Sequence, residues 1–266
     1  MTFNDDPRFP EEAFSPGAIA SVLGESPCSE AALAMFAAGG KLLRPRLAWT
    51  VWRALSGSED PSAVRAMLLA VECFHRASLV HDDIQDASPE RYGEPALHVR
   101  IGVNAAIAVG DWLVAKGYSL LAECGTPGAV RAAAARHAQM CSGQALEVMR
   151  PGESGVPGFD EAREIAFLKT GAGFALPAEL GALAAGFPPL APQLAEFGFE
   201  CGTAYQMADD AADLDFPAGT DAEALKAAAA ERIGKALATA AAFESIPLRN
   251  ALSAFAASLP PAQWRS

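Results

Sequence analysis

"SLVHDDIQD" (78–86) closes an apolar helical stretch with three aspartates, Asp82, Asp83 and Asp86. On a helix, positions i, i+1 and i+4 lie on nearly one face, so Asp82 and Asp86 stack one turn apart with Asp83 beside them. The same DDxxD spacing returns in "YQMADDAADLD" (205–215), where Asp209, Asp210 and Asp213 again follow an apolar run. A shuffled chain with 13 aspartates in 266 residues would hold only about 0.03 such patterns. Each like-charge i,i+4 pair costs roughly a few tenths of a kcal/mol by itself, so something must compensate. Helix-end acids on a solvated face, or caps, would explain one cluster but not its repetition. Hard carboxylate oxygens select Mg²⁺ over zinc, and Mg²⁺ takes its remaining ligands from water and phosphate oxygens. Two such faces opposed across a helical bundle predict a metal cage completed by a diphosphate.

Outward from these clusters, Ala- and Leu-rich segments with helical periodicity recur from end to end, while alternating β-branched runs are nearly absent. The pattern predicts an all-α chain with helices near 29–37, 41–56, 61–86, 103–123, 127–150, 160–184, 191–215, 221–243 and 246–258. Gly- and Pro-bearing connectors such as "SPERYGEP" (88–95), "CGTPG" (124–128) and "DFPAGTD" (215–221) punctuate them. None reads as an interdomain linker, so the expectation is a mobile tail over 1–15 and a single helical domain over 16–266.

The charge is −12 with five lysines, which excludes the basic footprint a nucleic-acid partner needs. Five cysteines (Cys28, Cys73, Cys124, Cys141, Cys201) have neither CxxC nor zinc spacing and read as buried thiols. Apolar runs are broken before the ~18–20 residues of a bilayer span, and "MTFNDDPRFPEEAF" is acidic where a secretory signal is basic. These features predict a cytoplasmic protein without stable membrane insertion.

The stretches "GGKLLRPRL" (39–47), "HRASLVHDDIQDASPERYGEPALHVRIG" (75–102), "GD" (110–111), "GQALE" (143–147), "KT" (169–170) and "YQMADDAAD" (205–213) occur in the order and spacing of the trans-isoprenyl diphosphate synthases, the polyprenyl synthetase family. The chain resembles that family over roughly residues 30–215. The resemblance implies an isoprenoid synthase fold, about ten helices around a central cavity, and a geranylgeranyl-type synthase that joins an allylic diphosphate to isopentenyl diphosphate. It implies catalytic roles for Asp82, Asp83, Asp86, Lys169, Asp209 and Asp210. Asp82, Asp86, Asp209 and Asp213 become metal ligands, Asp83 and Asp210 stand behind them, and three Mg²⁺ ions accompany the bound diphosphate. Lys41, Arg44 and His75 match positions that hold isopentenyl diphosphate. Arg91 matches one that holds the allylic diphosphate, while Gln144, Lys169, Thr170 and Gln206 line its surroundings. Taken singly, Lys41 or Arg44 would read as a solvated helix start and His75 as a satisfied core histidine. Relatives are homodimers, which the resemblance extends to this chain.

Three positions depart from the pattern. Glu147 stands where the family more often has Asp, and Tyr92 stands where a second arginine is usual. The segment after Asp213 has no basic residue until Lys226, where the family has a lysine-bearing loop. Tyr92 and this segment keep two alternatives open: an enzyme that ionises an allylic diphosphate for another acceptor or for cyclisation, and a non-catalytic subunit of a heteromeric synthase. The product tail is expected to run past Phe74, Ala77 and Ser78, the face one to three turns before Asp82. The small Ala77 leaves room there and Phe74 forms a floor, which predicts a product of about C20.

Overall fold

A computed structural model of the chain describes residues 8–149 and 157–259. In chain order its helices are α1 (Pro16–Leu23), α2 (Pro27–Ala37), α3 (Leu43–Ser56), α4 (Arg65–Gln85), α5 (Leu97–Ile101), α6 (Val103–Glu123), α7 (Ala129–Val148), α8 (Phe159–Ala166), α9 (Ala172–Ala184), α10 (Ala191–Asp213), α11 (Ala222–Ala241) and α12 (Ile246–Ser258). Among the described residues the named strands are two antiparallel dipeptides, β1 (Glu90–Arg91) and β2 (Glu94–Pro95). The chain is all-α, as its periodicity predicts.

The contacts form two compact units. The first holds the described residues up to Arg46 together with Glu59–Thr126; the second holds Leu47–Ser58 and the described residues from Pro127 onward. Among the described residues the chain passes between the units inside α3, after Ser58 in "SGSEDP" (56–61) and in the tight "CGTPG" turn.

The first unit includes the described part of the N-terminal segment. Glu11–Phe14 form a 3₁₀ turn, and Phe9 and Ala13 are buried. The guanidinium of Arg46 lies 4.3 Å from the centre of the Phe9 ring, so residues 8–14 are packed down by a cation–π contact. Residues 1–7 lie outside the described residues. Helix α1 is absent from the sequence prediction although it has a serine N-cap, Ser15, and proline at its first position.

Helices α4 and α6 approach closely because α6 presents glycines two turns apart. A Cβ at Gly110 would stand 2.3 Å from His81 Nε2, and one at Gly117 would stand 2.7 Å from the Phe74 ring. The glycine seam thereby fixes the last turns of α4, which carry the first acid cluster. By length and composition α6 is long and apolar enough to cross a bilayer, although Gly110, Asp111, Lys116 and Gly117 interrupt its apolar run. In this fold its Ala106, Val109, Leu113 and Leu120 are buried in the first unit.

In the second unit, the helix expected over 160–184 is interrupted. A π-helical turn, Phe167–Gly171, separates α8 from α9. Helix α10 lies against this region through Gly198 and Gly202: added Cβ atoms would stand 2.5 Å from Phe174 O and 2.6 Å from Thr170 O respectively. The two backbones meet because neither glycine has a side chain, and the end of α10 is thereby held beside the π turn.

Candidate active site

The first acid cluster occupies the last turn of α4. Asp82 is half-buried, Asp83 is buried, and Asp86 is the exposed C-cap. Carboxylates here face the negative end of the helix dipole as well as one another. Asp83 is neutralised locally, since Arg91 Nε donates to Asp83 Oδ1 at 2.9 Å and Nη2 donates to the same oxygen. The two-residue turn of the β1–β2 hairpin directs Arg91 back to the helix. Tyr92 (φ 57°) and Gly93 (φ 77°) both take positive φ, the requirement of a type I′ turn. Tyr92, standing where a second arginine is usual, therefore also accepts a backbone conformation that non-glycine residues rarely adopt.

A basic corner lies in the same unit. The glycines of "GGK" carry φ of 88° and 136° at Gly39 and Gly40, and the chain then enters α3 past an exposed Lys41. Arg44 Nη1 stands 3.3 Å from His75 Nε2. A guanidinium only donates, so Nε2 must accept and the imidazole proton belongs on Nδ1, an atom buried without a partner. Burial, then the charges of Arg44, Arg76 and Arg91, hold His75 well below the usual histidine range. The folded state thus keeps the ring neutral, while the unfolded chain takes up a proton below about pH 6.5. Stability contributed by neutral His75 is complete above that pH and is lost as pH falls, by up to about 1.4 kcal/mol per unit. His75→Gln should flatten the decline of melting temperature between pH 7 and pH 5.5; an unchanged decline would assign acid sensitivity elsewhere.

The expected chain-length residues sit on the same helix. Phe74 is wedged between α4 and α6, with its ring edge-on to Tyr118 at 5.0 Å. Ala77 is buried, and Ser78 Oγ donates to the His75 carbonyl at 2.8 Å. His81 Nε2 lies 3.5 Å from Asp111 of the "GD" pair, and His98 Nδ1 is buried without a partner.

In the second unit, a cavity of about 260 Å³ opens beside the second cluster. Asp210 lines it together with Glu147, Lys169, Thr170, Gln206 and Asp215. A continuous polar chain runs through these groups. Thr170 Oγ1 donates to Gln206 Oε1 at 2.8 Å, and Gln206 Nε2 donates to Asp210 Oδ1 at 2.7 Å. Lys169 Nζ pairs with Glu147 at 2.8 Å, so the longer Glu side chain in place of Asp is the lysine's counter-ion. The π turn supplies two adjacent residues, Lys169 and Thr170, to one wall, a frequent use of such turns. An added Cβ at Gly143 would stand 2.8 Å from Lys169 N, so α7 lies directly on this turn. Gln144, next in α7, has both amide atoms buried without partners, which leaves hydrogen-bonding capacity for a ligand.

Burial pushes the Asp210 carboxyl up to about 7; the Gln206 hydrogen bond opposes this, and Asp215, Asp209 and Glu147 add to it. Asp209 and Asp213, expected as the ligands of this cluster, are exposed and do not line the cavity, whereas Asp210 does. Asp215 was missed by sequence reasoning. Leu214 takes a left-handed φ of 62°, and Asp215 N bonds back to Asp210 O at 2.9 Å, so the chain folds over the helix end and brings Asp215 to the cavity. The Phe-Pro that follows, which cannot continue the helix, was the available signal.

The donor set suits a hard divalent cation with diphosphate. Among the described residues no three His, Cys, Asp or Glu side chains form a ready metal cage.

The polyprenyl synthetase family model matches residues 25–243. The chain is 34% identical over 203 residues to heptaprenyl diphosphate synthase component 2 of Geobacillus stearothermophilus, covering 73% of this chain and 62% of that protein. It is 35% identical over 189 residues to nonaprenyl diphosphate synthase of Mycobacterium tuberculosis, covering 70% and 55%. The chain thus spans less than two thirds of the length of either relative. Among solved structures, a polyprenyl synthase from Caulobacter crescentus complexed with calcium and isoprenyl diphosphate superposes with a TM-score of 0.79, at 26% identity, over 95% of this chain and 96% of that one.

Proposed function

Because the chain belongs to the polyprenyl synthetase family, we propose that it is a Mg²⁺-dependent trans-prenyltransferase that elongates an allylic diphosphate with isopentenyl diphosphate to a product of about C20. One observation carries the reading: α4 and α10 each end in a DDxxD cluster, against the helix dipole and against mutual repulsion. Bound divalent ions offset both penalties. Asp82 and Asp86 from α4, and Asp209, Asp210 and Asp213 from α10, would hold Mg²⁺. When bound, the metal supplies Lewis-acid stabilisation of the departing diphosphate.

In the reaction the allylic C–O bond breaks and its electron pair leaves with diphosphate. The double bond of isopentenyl diphosphate then forms the new C–C bond, and a proton is lost. Arg91 and Lys169 donate to the allylic diphosphate, while Gln144, Thr170 and Gln206 orient it with neutral hydrogen bonds. Lys41 and Arg44 hold the diphosphate of the acceptor, with neutral His75 presenting Nδ1–H. Incubation with Mg²⁺ and dimethylallyl, geranyl or farnesyl diphosphate, with and without isopentenyl diphosphate, tests the assignment by product mass. Elongation that requires isopentenyl diphosphate supports it.

The anionic Asp215 beside the cavity, in the segment where the family carries a lysine-bearing loop, favours one second reading: ionisation of the allylic diphosphate for a different acceptor or a cyclisation. Turnover without isopentenyl diphosphate would select that reading. Turnover only on addition of another subunit would assign the chain to a heteromeric synthase instead.

Ala77→Phe should place a ring on the face above Phe74 and shorten the product by one or two isoprene units, read by mass spectrometry. An unchanged product would remove position 77 from the tunnel. We further place the protein in the cytoplasm as a homodimer. Val99, Ile101, Val103 and Ile107 are exposed along α5 and the start of α6, an apolar surface suited to a second copy. Sedimentation should give twice the chain mass, and Ile107→Asp should reduce it to one.

A further inference from the structure

We propose that Arg76 is a positioning residue, a buried clasp that sets the Lys41 loop and the Tyr92–Gly93 hairpin for diphosphate binding. The inference rests on the reading of Lys41 as a diphosphate donor. Arg76 is 2% exposed, too deep to meet a substrate, and its donors hold protein groups from distant parts of the first unit. Nε pairs with Glu72 Oε1 at 2.8 Å, one turn earlier on α4. Nη1 donates to the Met35 carbonyl at 3.0 Å in the last turn of α2, and Nη2 donates to the Gly39 carbonyl at 2.6 Å. The planar fork thereby fixes the end of α2 and the glycine two residues before Lys41.

Aromatic rings complete the clasp. The guanidinium carbon lies 5.5 Å from the centre of the Phe36 ring and 5.7 Å from that of Tyr92. A Cβ at Gly40 would stand 3.0 Å from Arg76 Nη2 and 3.9 Å from the Tyr92 hydroxyl, so the loop is threaded between these groups. Tyr92 follows Arg91, the partner of Asp83, so one guanidinium joins the loop of Lys41 to the hairpin of Arg91. Tyr92 thereby gains a structural role, covering the clasp with its ring.

The test is binding of inorganic diphosphate by calorimetry in chelator, where the acid clusters repel the probe and the basic corner alone attracts it. A Glu72→Leu/Arg76→Met double variant replaces the buried pair with apolar groups of similar volume, a change that folds usually tolerate. Arg76→Lys keeps the charge but not the fork, and serves alone if the double variant fails to fold. We expect affinity to fall about tenfold in either variant, with unchanged helical circular dichroism and faster hydrogen exchange at residues 39–44. Lys41→Ala should cost about tenfold in the wild type and less than twofold in either variant. Wild-type affinity in the variants, an equal Lys41→Ala loss in all backgrounds, or no diphosphate binding by the wild type each overturns the inference. Elongation by the wild type is scored separately: its failure removes the proposed acceptor chemistry and leaves this binding result standing.

Discussion

Asp210→Asn is expected to lower turnover at saturating Mg²⁺ by about 10²–10³-fold while raising the melting temperature of the metal-free protein. The substitution is nearly isosteric, and an Asn Oδ1 still accepts the Gln206 Nε2 hydrogen bond that Asp210 accepts at 2.7 Å. It removes chiefly the charge. That charge is largely buried and stands near Asp215, Asp209 and Glu147, so its loss relieves desolvation and repulsion together. After discounting for solvent screening, the relief amounts to about 1–2 kcal/mol, or about 2–8 °C in a domain of this size. Function and stability thus oppose one another at this residue, as expected where a site is built to receive a cation. Calorimetric melting in chelator at pH 8 and steady-state kinetics with varied Mg²⁺ measure the two halves. Unchanged turnover would remove Asp210 from the metal site, and a lower melting temperature would contradict the account of its burial.

Arg91→Ala is expected to destabilise the first unit markedly. Asp83 has 3% of its side chain exposed, and its carboxylate is matched by the Arg91 guanidinium, itself 35% exposed. Removing the arginine leaves a buried anion beside Asp82 at the negative end of α4. Breaking a buried pair from one side costs about 3–5 kcal/mol; partial exposure of Arg91 reduces this to about 2–3 kcal/mol, a melting temperature lower by about 4–12 °C. Asp83→Asn in the same background should restore most of the loss because the stranded charge is gone. A double variant no more stable than Arg91→Ala alone would show that the pair is not what holds the hairpin to the helix. The single and double variants should both lose turnover, since the proposed role of Arg91 on the allylic diphosphate is absent from each.

Much of the site was visible in one dimension because its parts are local patterns. DDxxD places carboxylates one turn apart on any helix, and both copies stand in the last turns of α4 and α10. Lys169 and Thr170 were singled out as a dipeptide and line one cavity wall. The π turn that presents them was not legible, because it depends on the contact of α7 at Gly143 and of α10 at Gly202 rather than on the composition of "FLKTG". The resemblance implies Asp213 as a ligand with Asp210 behind it; the cavity is lined by Asp210 and not by Asp213.

The amino-acid sequence by itself determined the helical class, the two acidic helix ends and the family, because periodicity and residue spacing survive without knowledge of any distant contact. Only the tertiary structure decided that Arg76 reaches the carbonyls of Met35 and Gly39, that residues 8–14 fold onto Arg46, and that Asp215 turns back to the cavity. Each of these depends on groups brought together by packing or by a backbone reversal, where burial makes every polar atom seek a partner that helical periodicity does not specify.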